Sequence, residues 1–461
     1  MISASVSVAV ALFALWPSPP VAQDELGRRA LEHDDYDKWN SLGGSSLSND
    51  GQWVAFSVRP AKGATTLTIR EVGSQKQYTI VGGSSARFTS DSRFAAYVIQ
   101  PDPEVLEKLR EQDKGRDELP QSKLEILDLT DGSHVTMNDV RSFSFPEEAP
   151  VWITYSPSKP SKKTTVRSGK SEIKETYTIE PNGLSRRSLT EAKSTEEASS
   201  KGKAGESEKG GRDPKPKKDA REKANGTTLV LRDLSTGIER RFPDVTSHRF
   251  SKAGAHLAFA ASATDAEDDG VYIVDLATGA LTQILSGRGS YSSLSFSEDE
   301  RQLAFMSDRD DYGPVKPSQS LYLWGVGQKE AAKIVDASNE SMPEGWWLAS
   351  SSTPRFTEDG RRLLFDTQPR PDDAGKTKEV LDKEKKAKAK DPQATLDIWH
   401  WKDEALQPQQ VIQARRERNR SYVAAYDLTA KKAVQLATKE MSRVSVDTRS
   451  SADVAVGVDS T

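Results

Sequence analysis

The sequence predicts an all-β protein, a β-propeller of about seven blades with six clear and the seventh incomplete. Three observations carry this. One cassette recurs along the chain. Its strands alternate apolar and polar residues with the period of two that marks half-buried strands. Copy starts lie 41, 57, 105, 46 and 60 residues apart, a base period of about 40 to 45 lengthened by inserts, which is the length of a four-stranded blade. A small antiparallel sheet cannot cover both of its faces alone, so neighbours must stack, and a ring of blades is the closed solution.

The cassette reads as an aromatic residue or Leu, then Ser/Thr, a turn rich in Asp and Gly, and an alternating strand. After a variable gap comes a second strand that often ends in Asp-Leu-x-x-Gly. The first copy runs from Leu47 through Ser48, Asp50 and Gly51 to Ser57, with residues 67–73 behind it. The second runs from Phe88 to Tyr97, with residues 124–132 behind it. A degenerate third starts at Phe145, includes residues 151–155 and resumes at residues 229–237. The fourth pairs residues 250–259 with 271–279, and the fifth pairs 296–305 with 321–324. The sixth begins at Phe356, and its second strand is placed at Leu396-Asp397-Ile398-Trp399-His400-Trp401. Residues 421–428, 444–446 and 454–458 read as the end of blade six and the start of a seventh, within which the chain stops.

Two inserts interrupt the pattern. Residues 158–226 hold 18 Lys/Arg, 11 Asp/Glu and a single aromatic, Tyr177. Such a stretch cannot offset its ordering entropy by burial and is expected to be a disordered, basic loop that trypsin cuts first. Pro181-Asn182-Gly183 between short apolar alternations predicts a small hairpin inside it. The second insert, residues 374–394, is charged and rich in helix formers and reads as an exposed helical segment or loop in blade six.

Residues 2–16 are uncharged and mostly apolar, and Pro17, Pro19, Pro20, Val21 and Ala22 precede the first charge at Asp24. That order predicts a signal peptide over residues 1–22, hence an exported, periplasmic or secreted protein with no stable membrane span after cleavage. With 65 Lys/Arg against 69 Asp/Glu, the chain offers no overall positive field for a nucleic-acid backbone.

Composition also limits the chemistry. There is no cysteine, which removes disulfides, thiolate metal sites and a cysteine nucleophile. The histidines His33, His134, His248, His256 and His400 have no metal-ligand spacing. The serine contexts Gly43-Gly44-Ser45-Ser46, Gly82-Gly83-Ser84-Ser85 and Gly205-Glu206-Ser207 all lack the second glycine of a nucleophile elbow. The acidic runs Asp308, Asp310, Asp311 and Asp265, Glu267, Asp268, Asp269 occupy corresponding places in two blades and read as loop rims rather than calcium sites. Trp346 and Trp347, with Trp399 and Trp401, could line a peptide-gripping face, though core packing is the commoner fate of tryptophan. No catalytic, cofactor-binding or metal-binding residue is assigned, and no cofactor is expected.

The cassette resembles the propeller repeats of TolB and of the N-terminal domain of the prolyl oligopeptidase family. The segments 33–42 (HDDYDKWNSL), 396–403 (LDIWHWKD) and 406–410 (LQPQQ) resemble exported bacterial peptidases of that family. The resemblance implies a propeller over residues 33–461 that caps a C-terminal α/β-hydrolase domain bearing Ser, Asp and His. That domain is absent from this sequence, so no catalytic residue is carried over. The expected role is a non-catalytic propeller that gates or selects peptide substrates for such a domain. The alternative is a stand-alone periplasmic TolB-like scaffold for protein interactions. A third reading places an active site of the propeller's own in the central channel.

Overall fold

The structure is a computed structural model and describes residues 32–37, 39–115, 118–158, 173–179, 185–191, 225–263, 266–390, 400, 402–403, 406–449 and 454–458. After a short helix α1 (His33–Tyr36), the chain forms successive antiparallel meanders. Blade 1 is β1 (Asn40–Leu47), β2 (Trp53–Pro60), β3 (Thr66–Glu71) and β4 (Gln77–Val81). Blade 2 is β5 (Gly83–Phe88), β6 (Phe94–Ile99), β7 (Lys123–Asp128) and β8 (His134–Met137), with helix α2 (Pro103–Glu111) between β6 and β7. Blade 3 begins with β9 (Val140–Ser144) and β10 (Trp152–Pro157). The expected hairpin follows as β11 (Ile173–Ile179) paired with β12 (Ser185–Glu191). The remaining residues of the 158–226 insert, apart from its two ends, lie outside the described residues.

Blade 3 continues with β13 (Thr227–Asp233) and the first half of β14 (Glu239–Phe250), whose second half opens blade 4. No turn separates the two roles of β14. A register shift between Val245 and Ser247, next to a left-handed Asp244 (φ 55°), passes the strand from one blade to the next. Blade 4 adds β15 (His256–Ala261), β16 (Gly270–Asp275) and β17 (Leu281–Ser286). Blade 5 is β18 (Tyr291–Phe296), β19 (Gln302–Ser307), β20 (Ser320–Gly325) and β21 (Ala332–Val335).

Blade 6 corrects the sequence expectation. Its inner strand is broken into β22 (Trp346–Leu348) and β23 (Arg355–Phe356), which pair with opposite ends of β24 (Arg362–Pro369). The next strand is β25 (Tyr422–Asp427), followed by β26 (Lys432–Gln435), whereas residues 396–401 were expected there. Residues 396–399 and Trp401 lie outside the described residues, and His400 is exposed. β25 fits the ladder because it alternates and ends in the same Asp-Leu turn as β7, β13 and β16. The insert contains α3 (Lys378–Lys390), as the helix formers there suggest, and beyond it lies an unexpected α4 (Gln407–Arg418), with Pro408 in its first turn and the Gln409 side chain accepting from the Leu406 N–H at 3.2 Å. A final pair, β27 (Arg443–Val446) and β28 (Ala455–Val458), lies beyond it.

The blades stack in chain order because alternate residues of one strand face opposite neighbours. Ala95 and Tyr97 of β6 pack on Trp53, Ala55 and Ile69 of blade 1, while Ala96 joins Ile153 and Val230 of blade 3. Leu231 and Phe242 meet Leu257 and Phe259, Ala258 and Ile273 meet Leu303 and Tyr322, and Ala304 and Leu321 meet Leu363, Phe365 and Ala424. Trp346 and Tyr422 then pack against Val444 of β27. Burying each Leu or Phe contributes about 1.5–3 kcal/mol, so the interfaces hold the array together. The fold is therefore the all-β propeller that the repeats predict. Among the described residues, no helix is long and apolar enough to cross a membrane.

Candidate functional site

An antiparallel meander puts its first and third turns on one face and its second link, with the link to the next blade, on the other. The long connections therefore leave the sheets on one face: the β6–β7 link with α2, the β10–β13 link and the β24–β25 link. Neighbouring connections are tied together there. The Lys316 ammonium sits 2.8 Å from Asp373, and the Val315 N–H donates to the Lys376 carbonyl at 3.0 Å. The Gly226 N–H, where the blade 3 insert returns, donates to the Ser262 carbonyl at 3.0 Å.

The opposite face holds the cassette turns, and their chemistry is structural. The Ser48 hydroxyl donates to the Asp50 carboxylate at 2.6 Å and accepts from the Trp53 N–H at 2.8 Å. Thr89 with Asp91, Ser297 with Asp299 and Thr357 with Asp359 repeat the bond at 2.6 Å. The hydroxyl and a backbone N–H two residues on hold Asp50, Asp299 and Asp359 below the usual carboxylate range. In the other turns, Asp233 and Asp275 accept from the N–H two residues on, while Gly237 and Gly279 take the left-handed conformation (φ 73° and 75°). This explains the Asp-Leu-x-x-Gly signature.

The residues singled out in the sequence land in structural roles. Trp346 and Trp347 are 9% and 5% exposed, so they fill the core, with the Trp346 ring 4.6 Å from that of Tyr422. Trp399 and Trp401 lie outside the described residues. His256 stacks on Phe296, and His134 is exposed near Glu125. His248 receives or donates a 3.0 Å bond with the Thr154 hydroxyl, and burial lowers its pKa to about 4. Thr154 is fully buried and His248 half-buried, which leaves the hydroxyl no access to a substrate. Asp308 and Asp269 cap loops by accepting from the N–H groups of Ser290 and Ala263 at 2.7 and 2.8 Å. Partial burial disfavours an ionised Asp310, but the Tyr322 hydroxyl at 2.8 Å and the Lys333 ammonium at 3.1 Å hold its carboxyl below the ordinary value. Ser45 and Ser84 sit on inner strands at register shifts, not on an elbow between a strand and a helix. Ser207 lies outside the described residues.

One site escaped sequence reading. A cleft of about 420 Å³ opens between blade 6 and β27, lined by Arg355, Asp366, Ser421, Arg443 and Ser445 over Leu364 and Val423. Asp366 lies where the inner strand departs from β24: Trp346 to Leu348 pair with residues 367–369, and Arg355 and Phe356 pair with Leu363 and Leu364. Its N–H donates to the Ser352 hydroxyl at 2.8 Å. Desolvation raises the pKa of its carboxyl, and the nearby Arg355 guanidinium only partly opposes that. The signal was present in the cassette, because the same position is Ser57, Val98, Ala260 and Met306 in other blades, each buried.

No protein-family model and no curated protein sequence matches the chain significantly. Among solved structures, the chain is similar to the β-propeller domain of the trilobed protease from Pyrococcus furiosus, at 11% identity over 89% of this chain and 88% of that one, with a TM-score of 0.35. It is similar to a prolyl endopeptidase at 11% identity and a TM-score of 0.37, where 90% of this chain spans 44% of the other. It is also similar to TolB from Acinetobacter baumannii, at 12% identity over 70% of this chain and 60% of that one, with a TM-score of 0.27.

Proposed function

We propose that this chain is the non-catalytic propeller of an exported serine peptidase of the prolyl oligopeptidase kind, selecting peptides for an α/β-hydrolase domain. The observation that carries the reading is that the long, charged connections all leave the sheets on one propeller face, where a partner domain or an entering peptide would be met. The cassette resemblance supports the choice of partner. Residues 1–22 would direct export, and β27 and β28 would begin a seventh blade. A folded protein would be excluded by size while an unfolded peptide passes, because the blades are held rigidly by their apolar interfaces.

The second reading, a stand-alone interaction scaffold, is favoured by the exposed Leu406, Val411 and Ile412 in and beside α4. Two measurements test the proposal, and the second separates it from the scaffold reading. The purified chain should hydrolyse no chromogenic peptide and take up no fluorophosphonate probe. Fused to a hydrolase domain of the family, it should restrict cleavage to short peptides, and deleting residues 33–461 should admit a folded protein. Probe labelling of the chain alone, or unchanged size selectivity after the deletion, overturns the proposal.

A further inference from the structure

The cleft beside Asp366 breaks a pattern that four of the other blades keep, blade 3 having a half-buried Ser156 at this position. At the corresponding position, blades 1, 2, 4 and 5 bury a small or apolar residue against the next blade. Blade 6 places a carboxylate there instead, half-buried, and among the described residues no hydrogen bond or ion pair reaches it. The two guanidinium groups that line the same cleft, Arg355 and Arg443, are also without a hydrogen bond or ion pair among the described residues. The Ser421 and Ser445 hydroxyls line it as well, whereas Ser442 is occupied by Arg420 at 2.6 Å. A desolvated polar group left unpaired costs stability, and such departures concentrate at binding sites.

We propose that this cleft is a binding site for a small zwitterion carrying an ammonium and a carboxylate, such as a free amino acid or a dipeptide. Asp366 would accept from the ammonium, and Arg355 and Arg443 would donate to the carboxylate. The charges select this class. A ligand with only cationic groups would meet two guanidinium groups, and one with only anionic groups would meet Asp366. A volume of about 420 Å³ lies within the range of small-ligand sites. Leu364 and Val423 supply an apolar floor for a short side chain. The inference does not rest on the peptidase reading, since the cleft belongs to blade 6 and β27 and binding is measured on the chain alone.

The test is calorimetric titration of the full chain with alanyl-alanine, its N-acetyl form and its C-terminal amide. The free dipeptide should bind saturably at one site. Each blocked form should bind about tenfold more weakly, the loss of one charge-assisted contact. Asp366→Asn should abolish discrimination against the acetylated form, and Arg443→Gln should reduce discrimination against the amide. Asp366→Val installs the residue that blade 2 carries at this position, so it should bind the dipeptide at least about tenfold more weakly while melting at or above the wild-type temperature. No saturable heat up to about 10 mM dipeptide, equal affinity for all three forms, or a marked fall in the melting temperature of Asp366→Val would each overturn the proposal.

Discussion

Glu300 stands at the left-handed position of its cassette turn (φ 59°), which Gly51, Gly254 and Gly360 fill in other blades. The blade 4 turn explains why a glutamate is kept there. Ser251 is followed two residues later by Ala253, not by the Asp that closes the turns at Ser48, Thr89, Ser297 and Thr357. The Glu300 carboxylate reaches across from blade 5 and replaces it. It accepts from the Ser251 hydroxyl at 3.0 Å, from the Ala255 N–H at 3.3 Å and from the Ala253 N–H. Hydrogen bonds to a charged acceptor are worth about 1.5–3 kcal/mol when buried, and with this partial exposure roughly 2 kcal/mol is expected for the set. Relieving the left-handed strain returns about 1 kcal/mol. Glu300→Ala should therefore lose about 2 kcal/mol in urea denaturation, and Glu300→Gly about 1. Adding Ala253→Asp to Glu300→Gly should restore wild-type stability, because the turn then closes as its counterparts do. The single Ala253→Asp change should destabilise, since two carboxylates would compete for the same donors. A Glu300→Gly variant as stable as wild type, or a double variant no better than Glu300→Gly, would refute the cross-blade account.

The remaining expectations concern pH and close packing. His248 has a folded pKa of about 4 against an ordinary 6.5, so its contribution is complete above pH 6.5 and falls away as pH drops toward 4, by up to roughly 3 kcal/mol; His248→Gln should flatten that part of a pH–stability profile followed by circular dichroism. Asp50, Asp299 and Asp359 have folded values below the usual 3.8, so their contribution is present above that pH and is lost as acid protonates them. Replacing Thr357 by Val should raise the Asp359 pKa in a carboxylate NMR titration, and an unmoved value would remove the hydroxyl from the account. A Cβ on Gly226 would collide with the Asp244 carbonyl oxygen, so Gly226→Ala should force apart the join between blades 3 and 4 and cost about 2 kcal/mol or more by thermal melting.

The sequence by itself determined the blades and their turns, because the forces that make them act over a few residues. Ser297 and Asp299 bond two positions apart, Gly279 closes a turn opened by Asp275, and the alternation in Leu303 to Phe305 needs only a buried face. The hairpin of β11 and β12 and the helix α3 were legible for the same reason. What only the tertiary structure decided involves partners far apart in the chain. β24 pairs with β25 across some fifty intervening residues, and loop-closure entropy grows so slowly with length that spacing did not reveal the true strand. Glu300 serves a turn more than forty residues away. Asp366 reads as an ordinary polar residue until the broken inner strand and the neighbouring β27 enclose it in a cleft, since desolvation belongs to the surroundings of a side chain and not to its place in the sequence.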